Sequence, residues 1–419
     1  MIKARKLIFP LFIFTFFFAF RSGQIYAEEN GATINSIEVN GLRRTRPHIA
    51  RYPLERFLGR EGETLDLNEV KAAVIDTRIL DPVAVELIDR EDGLILSVTV
   101  QEKWTIFPIP ILFGNSDEIS FGLYIADMNA FGLRDIAALG AVYSSSGWIA
   151  MASYLHTPNR PGLPGWNILF AYGHRERRNT DSAGILARRY SVNQIRFSLG
   201  FNYPFSEIFS VSASAFFTDI SLRENANAVD PPEKGARLLG FSPAISLRSS
   251  SWDGYLLSRR GLSVNYGFNL GFSNFSYHQA DLHGLWEQPI IPGFRLNFHS
   301  AATWRSKADP QRDPLFEEGP HRTRIVILPS TFSARNHAGF SAGLEKYLFR
   351  MRWGTLSALG SWQAIFSDSP IWGREFNHGP AAGIRFYLSR VALPAMDINV
   401  GYNMNTGLFQ FAFGMGAGF

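Results

Sequence analysis

The chain of 419 residues contains no cysteine. That excludes a disulfide framework, a thiolate metal site, a cysteine nucleophile and a lipid anchor on cysteine. Charge is also sparse: 19% of residues are charged, and 41 basic against 37 acidic side chains leave a net +4. The basic residues are dispersed, without the basic stripe and interleaved aromatics of a nucleic-acid binder. Beyond the N-terminal segment there is no apolar run of about 18 residues, so a helical membrane protein is excluded. What the chain has in quantity is aromatic surface: 36 Phe, 14 Tyr and 9 Trp, or 14% of the residues. That is too much for a disordered chain and heavy for a soluble globule.

Residues 1–27 read as an export signal. Lys3, Arg5 and Lys6 precede an apolar stretch from Leu7 to Phe20, and Ala27 is the expected cleavage site. As a helix that stretch reaches about 21 Å, short of the roughly 30 Å of a bilayer core.

Residues 28–103 form a small α+β domain in the order strand, helix, helix, strand, strand. Ile34, Ile37 and Val39 mark the first strand, ended by Asn40-Gly41. Pro47 suits a first helical turn. Ile49, Leu54, Phe57 and Leu58 supply that helix's apolar face, and Gly59 ends it. Leu67, Val70, Val74 and Ile75 repeat at helical spacing, with Asp66 or Asn68 as cap. Val83, Val85 and Leu87 alternate as a strand, and after Asp92-Gly93 so do Leu94, Leu96, Val98 and Val100. The cluster Arg43, Arg44, Arg46, Arg51 reads either as a solvated face or as a site for lipid phosphates or acidic clients.

From 104 to 419 the chain alternates. Leu262, Val264, Tyr266, Phe268, Leu270 and Phe272 oppose Ser263, Asn265, Gly267, Asn269 and Gly271. Ile195, Phe197, Leu199, Phe201 and Tyr203 oppose Arg196, Ser198, Gly200 and Asn202. Phe294, Leu296 and Phe298 oppose Arg295, Asn297 and His299, and Ile398, Val400 and Tyr402 oppose Asp397, Asn399 and Gly401. Runs of about 9–11 residues match tilted strands crossing a bilayer. Only a closed barrel lets strands satisfy their backbone in lipid. Long polar connectors alternating with tight turns complete the pattern of an antiparallel outer-membrane barrel, here of about 16 strands. The expected fold class is therefore mainly β, with one small α+β domain ahead of the barrel.

At the C-terminus Phe409, Phe411, Phe413 and Phe419 share one strand face. This resembles the β-signal by which outer-membrane proteins are recognised for assembly. The start Glu38-Val39-Asn40-Gly41 and the end Val98, Val100, Glu102 of the first domain resemble a POTRA domain. Followed directly by such a barrel, they resemble the BamA/TamA family of outer-membrane assembly proteins. Asn129-Ala130-Phe131-Gly132 matches that family's first turn, Trp252-Asp253 to Arg260-Gly261 its D-x(6-8)-G segment, and Gly339 to Glu345 its G-x(n)-E strand. The connector 306–337, ending in Phe332-Ser333-Ala334-Arg335, resembles the family's lumen loop. The chain departs from the pattern at Asn336-His337 and carries Gln363 near a position often acidic.

The resemblance implies an integral outer-membrane protein with its first domain in the periplasm. It would insert or export client proteins by templating strands at a seam between first and last barrel strands. The implied partners are unfolded outer-membrane clients, lipid and periplasmic accessory proteins; no cofactor, metal or nucleic acid is implied. Val83, Val85 and Leu87 are the candidate edge for clients, since an open edge offers backbone groups to any sequence. Arg335 is expected to reach an inward carboxylate, Glu345 or Asp397, and pin the loop. The rival expectation is a passive, porin-like channel. Enzymatic motifs are weak: Gly339-Phe340-Ser341-Ala342-Gly343 spells G-x-S-x-G inside an alternating strand, where a nucleophile elbow needs a sharp turn.

Overall fold

The computed structural model describes residues 32–415, apart from 78, 91–92, 159–161, 253–255, 271–272, 307–310, 320–324, 352–353 and 389–395. The export signal and Phe419 therefore lie outside the described residues.

The first domain has the expected element order. Strand β1 (Ile34–Asn40) is followed by α1 (Pro47–Arg51), a 3-10 turn (Tyr52–Phe57), α2 (Leu67–Ile75), β2 (Leu80–Arg90) and β3 (Gly93–Glu102). The sheet order is β1–β3–β2, with β3 parallel to β1 and antiparallel to β2. Leu96, Val98 and Val100 meet Ile37, Leu54, Phe57, Val70 and Val74 in a closed apolar core. The first helix is shorter than its apolar pattern predicts. Pro53 has no amide to continue the α ladder, the chain tightens into the 3-10 turn, and Leu58 emerges extended and exposed. Asp66 is the cap of α2, accepting from the Asn68 amide at 2.8 Å.

The sixteen remaining strands close into one antiparallel barrel in which every strand pairs with its sequence neighbours. They are β4 (Ile106–Asn115), β5 (Ile119–Ala130), β6 (Asp135–Ser144), β7 (Gly147–His156), β8 (Gly165–Thr180), β9 (Leu186–Pro204), β10 (Phe209–Arg223) and β11 (Ala236–Trp252). There follow β12 (Leu257–Asn269), β13 (His278–Ile291), β14 (Phe294–Arg305), β15 (Asn336–Met351), β16 (Gly354–Ser369), β17 (Gly373–Leu388), β18 (Met396–Tyr402) and β19 (Phe409–Met415). Alternation sends apolar side chains outward: Leu262, Val264 and Tyr266 are each more than 40% exposed, as are Phe197 and Phe201. A belt of exposed aromatic and aliphatic groups this large is stable only against lipid.

The first domain sits on the turn between β5 and β6. Three consecutive amides, of Arg43, Arg44 and Thr45, donate to the Glu102 carboxylate at 2.6–3.1 Å. This presents Arg44 to Asp127 and to Thr105 Oγ1. Asn129 Nδ2 donates to Thr45 Oγ1 at 2.9 Å, and the Arg46 amide donates to the Gly132 carbonyl at 2.9 Å. Gly132, at φ 72°, cannot be replaced without cost, because a Cβ there would strike the Arg44 carbonyl. Arg44 and Arg46 thus belong to the joint between domain and barrel. Partial burial pushes the Glu102 pKa up, but the amides of Thr45, Arg44 and Arg43 outweigh it and hold the carboxyl below its ordinary range.

Candidate functional site: the seam and the loop inside the lumen

The end of the barrel that carries the first domain is called the near end here. The connector between β14 and β15 starts at the far end, and its described residues, 311–319 and 325–335, fold back into the lumen. Its first half lays Leu315 against Tyr190, Val192, Ile220 and Leu238 of the inner wall. Glu317 anchors it, accepting from Arg188 at 3.0 Å and from Asn179 at 3.2 Å. The backbone carbonyls of Pro314 and Leu315 accept from the Tyr190 hydroxyl and from Arg177. The second half packs Ile327, Leu328, Phe332 and Ala334 on Ile365. The Val326 amide donates to Gln363 at 2.8 Å, so the residue at the often acidic position holds the loop as a neutral acceptor. Ser330 donates to Asp117 at the β4–β5 turn, and Phe332 bridges to Thr180. The loop therefore ties the far ends of β4, β5, β8, β9 and β16 together. Between it and β4–β8 remains a cavity of about 540 Å³.

The structure corrects the partner expected for Arg335. Its guanidinium meets Asp368 at 3.5 Å, and neither Glu345 nor Asp397. Arg335 precedes the first residue of β15, whereas Glu345 lies nine positions along that strand. At about 3.3 Å per residue the two, ten residues apart, are separated by about 33 Å.

Glu345 and Asp397 instead belong to a belt of inward side chains around the near end. Arg295 on β14 pairs with Glu345 on β15 at 2.6 Å and with Glu287 on β13 at 3.2 Å. Arg259 on β12 closes on Glu287 at 3.4 Å. Arg385 on β17 joins Glu345 at 3.1 Å and Asp397 on β18 at 3.8 Å. Tyr387, Ser357 and Asn297 donate the remaining bonds to Glu345 at 2.8, 2.5 and 3.2 Å. Three guanidinium and three carboxylate groups thus neutralise one another across seven adjacent strands. Arg295, Glu287 and Glu345 have no exposure at all. Sequence reasoning missed Arg259, Glu287 and Arg385. The only signal was that each occupies the polar phase of an alternating strand.

The belt ends where Asp397 faces Gly414 on β19. Beyond it lies the seam. Among the described residues β19 and β4 share three residue pairs, Ala412–Asn115, Phe413–Gly114 and Gly414–Phe113, against sixteen between β16 and β17. Gly114 admits this contact because a Cβ there would come within 2.8 Å of the Phe413 ring. Phe409, Phe411 and Phe413 take the lipid side of β19, with Gln410 buried on the other. β4 is apolar on both sides: Phe107, Ile109, Ile111 and Phe113 face the lumen, while Ile106 and Leu112 face out.

In the first domain, β2 carries Val83, Val85 and Leu87 at one border of the sheet. The register slips between Pro82 and Ala84, so Val83 bulges out, 64% exposed, while Val85 is in the core and Leu87 packs against it. Among the described residues no group of three His, Cys, Asp or Glu could hold a metal ion.

No protein-family model matches the sequence, and no curated protein matches it either. Solved structures do. BamA from Haemophilus ducreyi lacking POTRA domains 1–3 aligns over 92% of this chain and 84% of its own, with TM-score 0.68 and 11% identity. CdiB from Acinetobacter baumannii covers 92% and 73% with TM-score 0.63 and 14% identity. CdiB from Escherichia coli covers 92% and 76% with TM-score 0.64 and 13% identity. With its closed barrel of sixteen strands behind a small α+β domain, this chain has the fold of BamA and CdiB, the fold that its BamA/TamA resemblance implied.

Proposed function

We propose that this protein is an outer-membrane assembly or translocation factor that handles client strands at the β4–β19 seam. Its first domain then lies in the periplasm, residues 1–27 direct export, and Val83–Leu87 form a border that clients can reach. The action is non-enzymatic: the protein lowers the barrier to inserting a strand by offering an edge inside the bilayer, where unpaired backbone groups are costly.

The observation that carries this reading is the seam of three pairs among the described residues, set in an otherwise long ladder. A passive channel has no use for a weak wall, and a loop folded into the lumen suits it poorly. The cysteine-free chain permits a direct test. The pair Phe113–Gly414 faces across the seam, and the double variant F113C/G414C should form a disulfide on oxidation. The locked protein should lose assembly of clients in an outer-membrane reconstitution and regain it with reductant. Equal assembly by locked and reduced protein would overturn the proposal, and a large selective current unaffected by the lock would establish the channel.

A further inference from the structure

Backbone register fixes which amides of β4 face the seam. The Asn115 amide donates to the Glu118 carbonyl at 2.9 Å, and at the other end the Met128 amide donates to the Thr105 carbonyl at 2.9 Å. Between these ends the pairing of β4 with β5 runs without a slip. Amides alternate sides along a strand, so the odd residues of β4 point to β5. The even residues, Ile106, Pro108, Pro110, Leu112 and Gly114, point to the seam. The Phe411 amide, which reaches Ser116 Oγ at 3.1 Å, continues the same register on the β19 side.

Two consecutive seam-facing positions are thus proline and carry no donor. They lie on the near side of Phe113–Gly414, the last described β4–β19 pair, and Met415 is the last described residue of β19. We infer that Pro108 and Pro110 close the near half of this edge to strand pairing. They limit the barrel's own closure, and they confine an incoming strand to the far half of β4, Leu112–Asn115, and to β19. The second consequence rests on the assembly reading above; the first does not. A strand laid along Ile106–Ile111 would leave two successive carbonyls without donors in an apolar medium, where an unpaired backbone group is strongly disfavoured. β19 has no such gap: Phe409, Phe411, Phe413 and Met415 all keep the amide on that side. The two-sided apolar character of β4 fits the same picture, since a strand that leaves its neighbour meets lipid on both faces.

Amide exchange in lipid nanodiscs tests the edge without any client. In the native protein the Leu112 amide should exchange about tenfold or more faster than that of Phe113, which is bonded to β5. In P108V/P110V, and in P108A/P110A should the valines impair folding, new amides at 108 and 110 should be protected and Leu112 should slow. Unprotected amides at 108 and 110 in folded variants of both kinds would overturn the inference. A second arm uses a peptide copying residues 405–419 and a photo-crosslinker at 109, 111, 113 or 115. Labelling confined to 113 and 115 in the native protein, spreading to 109 and 111 in the variant, is the expected result. Native labelling at 109 and 111 equal to that at 113 would overturn the inference and leave the assembly reading standing. No labelling anywhere, with the exchange result intact, would instead remove the assembly reading and leave the closed edge.

Discussion

Glu345 accepts hydrogen bonds from five side chains, Arg295, Asn297, Ser357, Arg385 and Tyr387, and none stands on its own strand. Such a group is costly to remove on one side only. Glu345→Gln keeps the shape but leaves Arg295 and Arg385 buried with a charge uncompensated, a change worth about 3–5 kcal/mol in comparable pairs. The urea midpoint of the refolded barrel should fall accordingly; an unchanged midpoint would mean that water replaces the lost charge. Glu102 acts at the joint and through pH. Its folded pKa is depressed, so its contribution is complete above the ordinary glutamate value of about 4.5 and is lost as pH falls through the folded value. Below about pH 4.5 the link at residues 103–105 should therefore become sensitive to an acid-active protease. Glu102→Gln should show that sensitivity already at neutral pH, with little further change on acidification.

The lumen loop is an element held by unequal contacts. Arg335 and Asp368 are 3.5 Å apart and partly exposed, so the pair is worth at most about 1 kcal/mol. Glu317 is nearly inaccessible and accepts from both Arg188 and Asn179. Arg335→Ala should thus leave the single-channel current near its native value, while Glu317→Ala should release the first half of the loop and raise the current severalfold. Equal currents from the two variants would show that apolar packing alone holds the loop. The same contrast shows what was readable in advance. Strands were legible because the side-chain period is two wherever one face meets lipid, as in Leu262–Phe268. The loop was legible from its length and polarity. The partner of Arg335 was not, because a pairing across strands depends on register, and nothing local states that Asn336 aligns with Asp368. The belt of Arg259, Glu287, Arg295, Glu345, Arg385 and Asp397 was hidden for that reason too. The seam prolines were visible as letters, but which way they point is likewise a matter of register.

At the scale of the whole molecule the wall is unequal around its circumference. From β12 to β18 it is fastened twice, by the backbone ladder and by the ion belt. The long strands β15, β16 and β17, sixteen residues each, carry the centre of that belt. From β18 through β19 to β4 the belt has ended, and among the described residues the β19–β4 ladder narrows to three pairs. Opening free energies follow local contact density, so the barrel should not loosen uniformly. Amide exchange in nanodiscs should run fastest in β19 and on the seam side of β4 and slowest in β15–β17, by orders of magnitude. Glu345 stands on β15, several strands from the seam, so Glu345→Gln should speed exchange in β14–β17 while leaving the β4–β19 rates where they were. Rates rising together in both regions would mean that the belt sets the tension of the whole cylinder, and the seam would then open as part of a global loosening and not as a gate of its own.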